Sequence, residues 1–114
     1  MTCCYKDYVP ILKAISDETR LKIIDMLSCG ELCACDILEA FEITQPTLSY
    51  HMKILTECGI VIGVRSGAWM NYTLNKGKAD DLINFISNVT RDKDDCICIP
   101  YREKKKIKDT EPFE

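Results

Sequence analysis

Along most of this chain, hydrophobic residues recur at the three- and four-residue spacing of amphipathic helices, and polar breaks divide them into short segments. Ile11, Leu12 and Ile15 follow Asp7 and Pro10. They predict a short first helix that starts near the proline, where a missing N–H costs little. Asp17 is placed to cap a second helix with a stripe of Leu21, Ile24 and Leu27, widened by Ile23 and ended at Cys29-Gly30. The run CACDILEAFEI predicts a third, short helix with Ile37, Leu38 and Phe41 inward, and Thr44 caps a fourth. In TQPTLSYHMKILTECGI, Leu48, Met52 and Leu55 make the inner face, and Gln45, Thr47, Ser49 and Tyr50 fall off it.

Beyond Cys58-Gly59 the period changes to that of strands. VIGVR and WMNYTL flank a tight turn at Ser66-Gly67 and predict a hairpin, with Arg65 near its start able to reach a phosphate and Trp69 and Tyr72 packing against or flanking it. A last helix from about Lys78 to Val89 carries Leu82, Ile83, Phe85, Ile86 and Val89, more apolar surface than a terminal helix leaves in water, so a partner subunit is expected to cover it. The pattern as a whole is mainly α with a small β-hairpin. Residues 1–91 read as one domain and 92–114 as a charged, flexible tail whose lysines are a solvated charge run.

Composition changes this picture little. A chain of 114 residues buries one core, and 46% hydrophobic with 29% charged residues is an ordinary globular balance. No apolar run approaches the roughly 18 residues of a membrane span, and MTCCYKDYVP lacks the features of an export signal, so a cytoplasmic protein without membrane partners is expected. A net charge of -3 argues against a protein that coats nucleic acid, but leaves room for a local basic face. The outward face of the fourth helix offers short hydrogen-bonding side chains at a helix N-terminus, the equipment for reading base edges in a major groove. A thiol enzyme is not expected, because no CxxC occurs and the chain holds a single histidine.

Eight cysteines are the unusual feature. Cys3 and Cys4 are adjacent, Cys33 and Cys35 form one CxC, Cys96 and Cys98 form another, and Cys29 and Cys58 stand apart. With no export signal the thiols are expected to be reduced, and their pairing points to soft-metal chemistry. Cys58, at a helix end, reads as a small buried hydrophobe.

The segments AISDETRLKIIDML at 14–27, GELCACDIL at 30–38 and TQPTLSYHMKIL at 44–55, in this order, resemble the ArsR/SmtB family of metal-responsive repressors, and the middle one resembles the arsenical-resistance members. The resemblance runs from about Val9 to Asn88. It implies a winged helix-turn-helix that binds double-stranded operator DNA without metal, as a homodimer joined through the first and last helices. Base reading then falls to Gln45, Thr47, Ser49 and Tyr50, backbone contacts to His51 and Lys53, and the wing to Arg65 through Asn71. No constitutive cofactor is implied. The inducer is trivalent arsenic or antimony, held by Cys33 and Cys35.

Trivalent metalloids favour three sulfurs, and the third could be Cys29, Cys3, Cys4, Cys96 or Cys98. If Cys33 and Cys35 both lay on an ideal helix, about 100° per residue would point them some 200° apart. Coordination would then pull the chain near Cys33 to Asp36 out of helical geometry and disturb the reading helix. A helix start is also expected to lower the thiol pKa. Two other inducers fit the same residues: a cadmium, lead or zinc ion held with the N-terminal pair, or an oxidant that closes a strained disulfide.

Overall fold

The computed structural model describes residues 5–94 and 97–102. These form helices α1 (Tyr5–Ile15) and α2 (Glu18–Leu27), strand β1 (Leu32–Cys33), helices α3 (Ala34–Glu39) and α4 (Gln45–Glu57), strands β2 (Val61–Ser66) and β3 (Trp69–Leu74), and helix α5 (Lys76–Thr90). The sheet is antiparallel in the order β1-β3-β2. Three of the helices begin where a polar side chain takes an unpaired backbone N–H: Arg20 donates to Asp17 at 3.1 Å, Thr47 to Thr44 at 3.3 Å and Lys78 to Asn75 at 3.1 Å. Gly59 ends α4 at φ +87, the left-handed conformation glycine adopts without a Cβ penalty.

The core joins α2, α3 and α4 to the inner face of the sheet through Ile23, Leu27, Ile37, Leu48, Met52, Leu55, Ile60, Val61 and Tyr72. The helix-turn-helix is therefore fixed by the same side chains that seat the hairpin. A second contact unites the chain's ends: Tyr8 stacks on Phe85 with centroids 4.1 Å apart, and Tyr5 meets the same ring edge-on at 6.1 Å. None of the described helices is long and apolar enough to cross a membrane.

The structure corrects several local expectations. Pro10 lies inside α1, five residues beyond Tyr5, so the helix runs through the proline and gives up one hydrogen bond. Leu21 faces solvent while Ile23 and Leu27 carry the buried stripe of α2. Cys33 belongs to β1, where it pairs with Asn71, and α3 starts one residue later. The hairpin turn is Gly67-Ala68, with positive φ at Gly67 only, the II′ arrangement that needs glycine at the first central position. Asn75 starts α5 earlier than Lys78, and Trp69 stays exposed while Tyr72 packs.

Candidate nucleic-acid interface and thiol cluster

On α4, periodicity assigns Leu48, Met52 and Leu55 inward, and the structure leaves Gln45, Thr47, Ser49, Tyr50 and Lys53 exposed. Thr47 is partly committed, because its hydroxyl accepts a hydrogen bond from the capping Thr44 at 3.0 Å. His51 is half-buried at the edge of the apolar stripe, with Nδ1 3.0 Å from the Arg20 guanidinium. Arg65 projects from β2 into a cleft of about 540 Å³ between α3, α4 and the hairpin, whose walls include Cys35, Gln45, Ser49 and Trp69. The structure thus brings Gln45, Ser49 and Arg65 to one surface. Burial pushes the Tyr72 phenol up, and the Arg65 charge opposes the shift.

The thiol cluster sits at the opening of α3. Cys33 is the N-cap in extended backbone, φ -83 and ψ 162, and its sulfur accepts the Asp36 N–H at 3.4 Å. The Asp36 carboxylate in turn accepts the Cys33 N–H at 3.4 Å, which closes a capping box. Because Cys33 precedes the helix, the 200° divergence expected of two helical positions does not arise. The donor atoms of Cys33, Cys35 and Asp36 all lie within 4.8 Å of one another. Asp36 is the residue the sequence reading passed over. Its signal was the C-x-x-D spacing, which copies the S-x-x-E of a capping box with sulfur in place of a hydroxyl.

Charge at this cluster runs against expectation. The hydrogen bond with Cys35 holds the Cys33 thiol above the usual cysteine range; the Asp36 N–H pulls the other way, and the Asp36 carboxylate adds to the rise. The Cys35 hydrogen bond, helped by burial and the Asp36 carboxylate, outweighs the helix start that was expected to favour thiolate. Of the other cysteines, Cys29 is exposed beside Ser28, with Sγ 4.0 Å from its hydroxyl, and Cys98 is half-buried. Among the described residues neither joins the cluster. Cys58 packs against the core and donates to the Leu55 carbonyl at 3.3 Å. Cys3, Cys4 and Cys96, and the lysines at 104–106, lie outside the described residues.

The model of the arsR family of bacterial regulatory proteins matches residues 17–62. The arsenical resistance operon repressor of Staphylococcus aureus is 46% identical over 94 residues, covering 82% of this chain and 90% of that protein. That of Staphylococcus xylosus is 44% identical over 94 residues, with the same coverage of 82% and 90%. Among solved structures, HlyU from Vibrio cholerae superposes with a TM-score of 0.65 at 28% identity, over 79% of this chain and 98% of that one.

Proposed function

The chain belongs to the arsR family of bacterial regulatory proteins, and from that premise we propose that it is a cytoplasmic transcriptional repressor that binds operator DNA as a homodimer and is released when trivalent arsenic or antimony binds Cys33 and Cys35. In this reading Gln45, Thr47, Ser49 and Tyr50 read base edges, while Lys53 and Arg65 hold phosphates. The observation that carries it is the convergence of two thiols, one of which, Cys35, lies on the wall of the cleft that also presents Gln45, Ser49 and Arg65. No constitutive cofactor and no catalytic step are needed.

The donor set fits a thiophilic ligand. Arsenous acid and two thiols give a dithiolate arsenic hydroxide and two waters, with no proton released. The sulfur that captures the inducer is the one that caps α3, so ligation takes the Asp36 N–H partner away and loosens the segment supporting α4. Where the metalloid takes a third sulfur, the candidates are Cys29, Cys3, Cys4, Cys96 and Cys98. Asp36 favours a second reading, a cadmium, lead or zinc sensor, because a carboxylate oxygen suits these cations better than it suits arsenic.

The test is fluorescence anisotropy of the reduced protein on duplex DNA from upstream of its own gene, titrated with arsenite, antimonite, cadmium, lead, zinc and peroxide. Release by arsenite or antimonite is the expected result. Release by divalent ions alone moves the function to the second reading, and the absence of specific DNA binding removes the repressor.

A further inference from the structure

We propose that Arg20 is a positioning residue for the DNA-reading helix, holding α4 through His51, and that His51 serves as a neutral acceptor inside the protein and not as a phosphate contact. The proposal rests on the DNA-binding role of α4 argued above. A guanidinium carries donors only, so the Arg20 Nη1 that lies 3.0 Å from His51 Nδ1 must meet a lone pair there. The imidazole proton is therefore on Nε2. A second arm of the guanidinium, Nε, donates to the Ala14 carbonyl in the last turn of α1, one of the carbonyls a helix end leaves without an internal partner. The Arg20 backbone N–H goes to Asp17, and that bond holds the Asp17 carboxyl below its usual range. One residue of α2 thus ties the end of α1, the start of α2 and the middle of α4.

The position of His51 gives the tie leverage. Successive residues of a helix turn by about 100°, which places Gln45 about 120° and Ser49 about 160° around α4 from His51. The sheet and the Arg65 cleft flank the side of Gln45 and Ser49. Arg20 grips the opposite edge of the buried stripe. Any rotation of α4 that breaks the Arg20 contact swings Gln45 and Ser49 through the same angle.

A strut and a phosphate contact make opposite demands on charge. A phosphate is held better by a cation, and Arg20 is held better by a neutral acceptor. On DNA from upstream of its own gene, His51→Lys is expected to bind about tenfold more weakly than wild type, because two cations then face each other in a half-buried site. His51→Gln, whose amide oxygen can accept, is expected to stay within about threefold, with the slope of log affinity against log salt unchanged. Arg20→Ala should weaken binding without changing that slope, and Arg20→Lys should restore part of the loss. Equal or tighter binding by His51→Lys, or a slope shallower by about one unit in His51→Gln, overturns the proposal. His51 is the sole histidine, so the ¹⁵N spectrum of the wild-type imidazole reports the tautomer without any variant. Protonation at Nε2 is expected, and a neutral ring protonated at Nδ1 overturns the proposal even where Arg20→Ala fails to fold. Wild-type protein that binds no DNA specifically removes the DNA-binding reading and this role with it, whatever the tautomer.

Discussion

At the scale of single residues, the proposed sensor asks the Cys33 sulfur both to cap α3 and to hold the inducer, and serine separates the two roles. Serine is a good N-cap and a poor ligand for soft metals, so Cys33→Ser keeps the bond to the Asp36 N–H and removes the ligand. Cys33→Ser and Cys35→Ser, singly or together, should bind DNA within about twofold of wild type and lose release by arsenite; retained release in the double variant would sink the assignment of the sensor. Proton bookkeeping decides between inducers. The Cys33 pKa is raised by Cys35 and Asp36, so the thiol keeps its proton at neutral pH. A divalent cation must displace the Cys33 proton, so its half-release concentration should fall as pH rises, by about tenfold per unit for that thiol. Arsenous acid gives up hydroxide as each thiol gives up a proton, so its half-release concentration should stay flat over the same range. Anisotropy titrations at a series of pH values would separate the two.

At the scale of elements, the starts of α2 and α4 were legible in the sequence, and a helix start is also where a single change is easiest to weigh. Asp17 and Thr44 could be read as caps because the apolar period begins just after each. Asn75 was missed because Gly77 and Lys78 delay the apolar signal of α5. It both caps α5 and donates from Nδ2 to the Gly59 carbonyl at 3.0 Å, joining the end of α4 to the start of α5. Asn75→Ala should cost about 1–2 kcal/mol and lower the melting temperature by several degrees at fixed protein concentration, measured by circular dichroism. Strand β1 was invisible for a different reason. Its two residues hold their conformation only by pairing with Tyr72 and Asn71, distant in sequence, so no local pattern announces it. Placing Cys33 on that strand, before the helix, is what allows its sulfur to meet that of Cys35. The cysteines themselves were legible; their convergence depended on a long-range pairing.

At the scale of the whole molecule, the core and the exposed apolar surface lie in different places, and that separation makes the homodimer testable. Ile23, Ile37, Leu55 and Val61 bury themselves within one chain, so a single protomer has its own core. The ends of the chain do not finish the job. Ile83, Ile86 and Val89 repeat every three residues along α5 and remain exposed, and Tyr5 and Val9 of α1 are exposed too. Tyr8 and Tyr5 pack on Phe85, so these two helices lie against each other and, among the described residues, leave apolar surface exposed. A second copy would cover it at about 1.5–3 kcal/mol for each isoleucine side chain fully buried. A glutamate at such a place loses that gain and must shed its water as well. Ile83→Glu with Ile86→Glu is therefore expected to sediment as a single chain with the helical circular dichroism of the wild type. Because each protomer of the proposed dimer would carry one reading helix, loss of the dimer would also turn a two-point attachment into a one-point one, and DNA affinity should fall by at least about 100-fold. A variant that still sediments as a dimer would place the interface away from α5, and one that becomes monomeric yet binds DNA as tightly as wild type would show that recognition needs one helix alone.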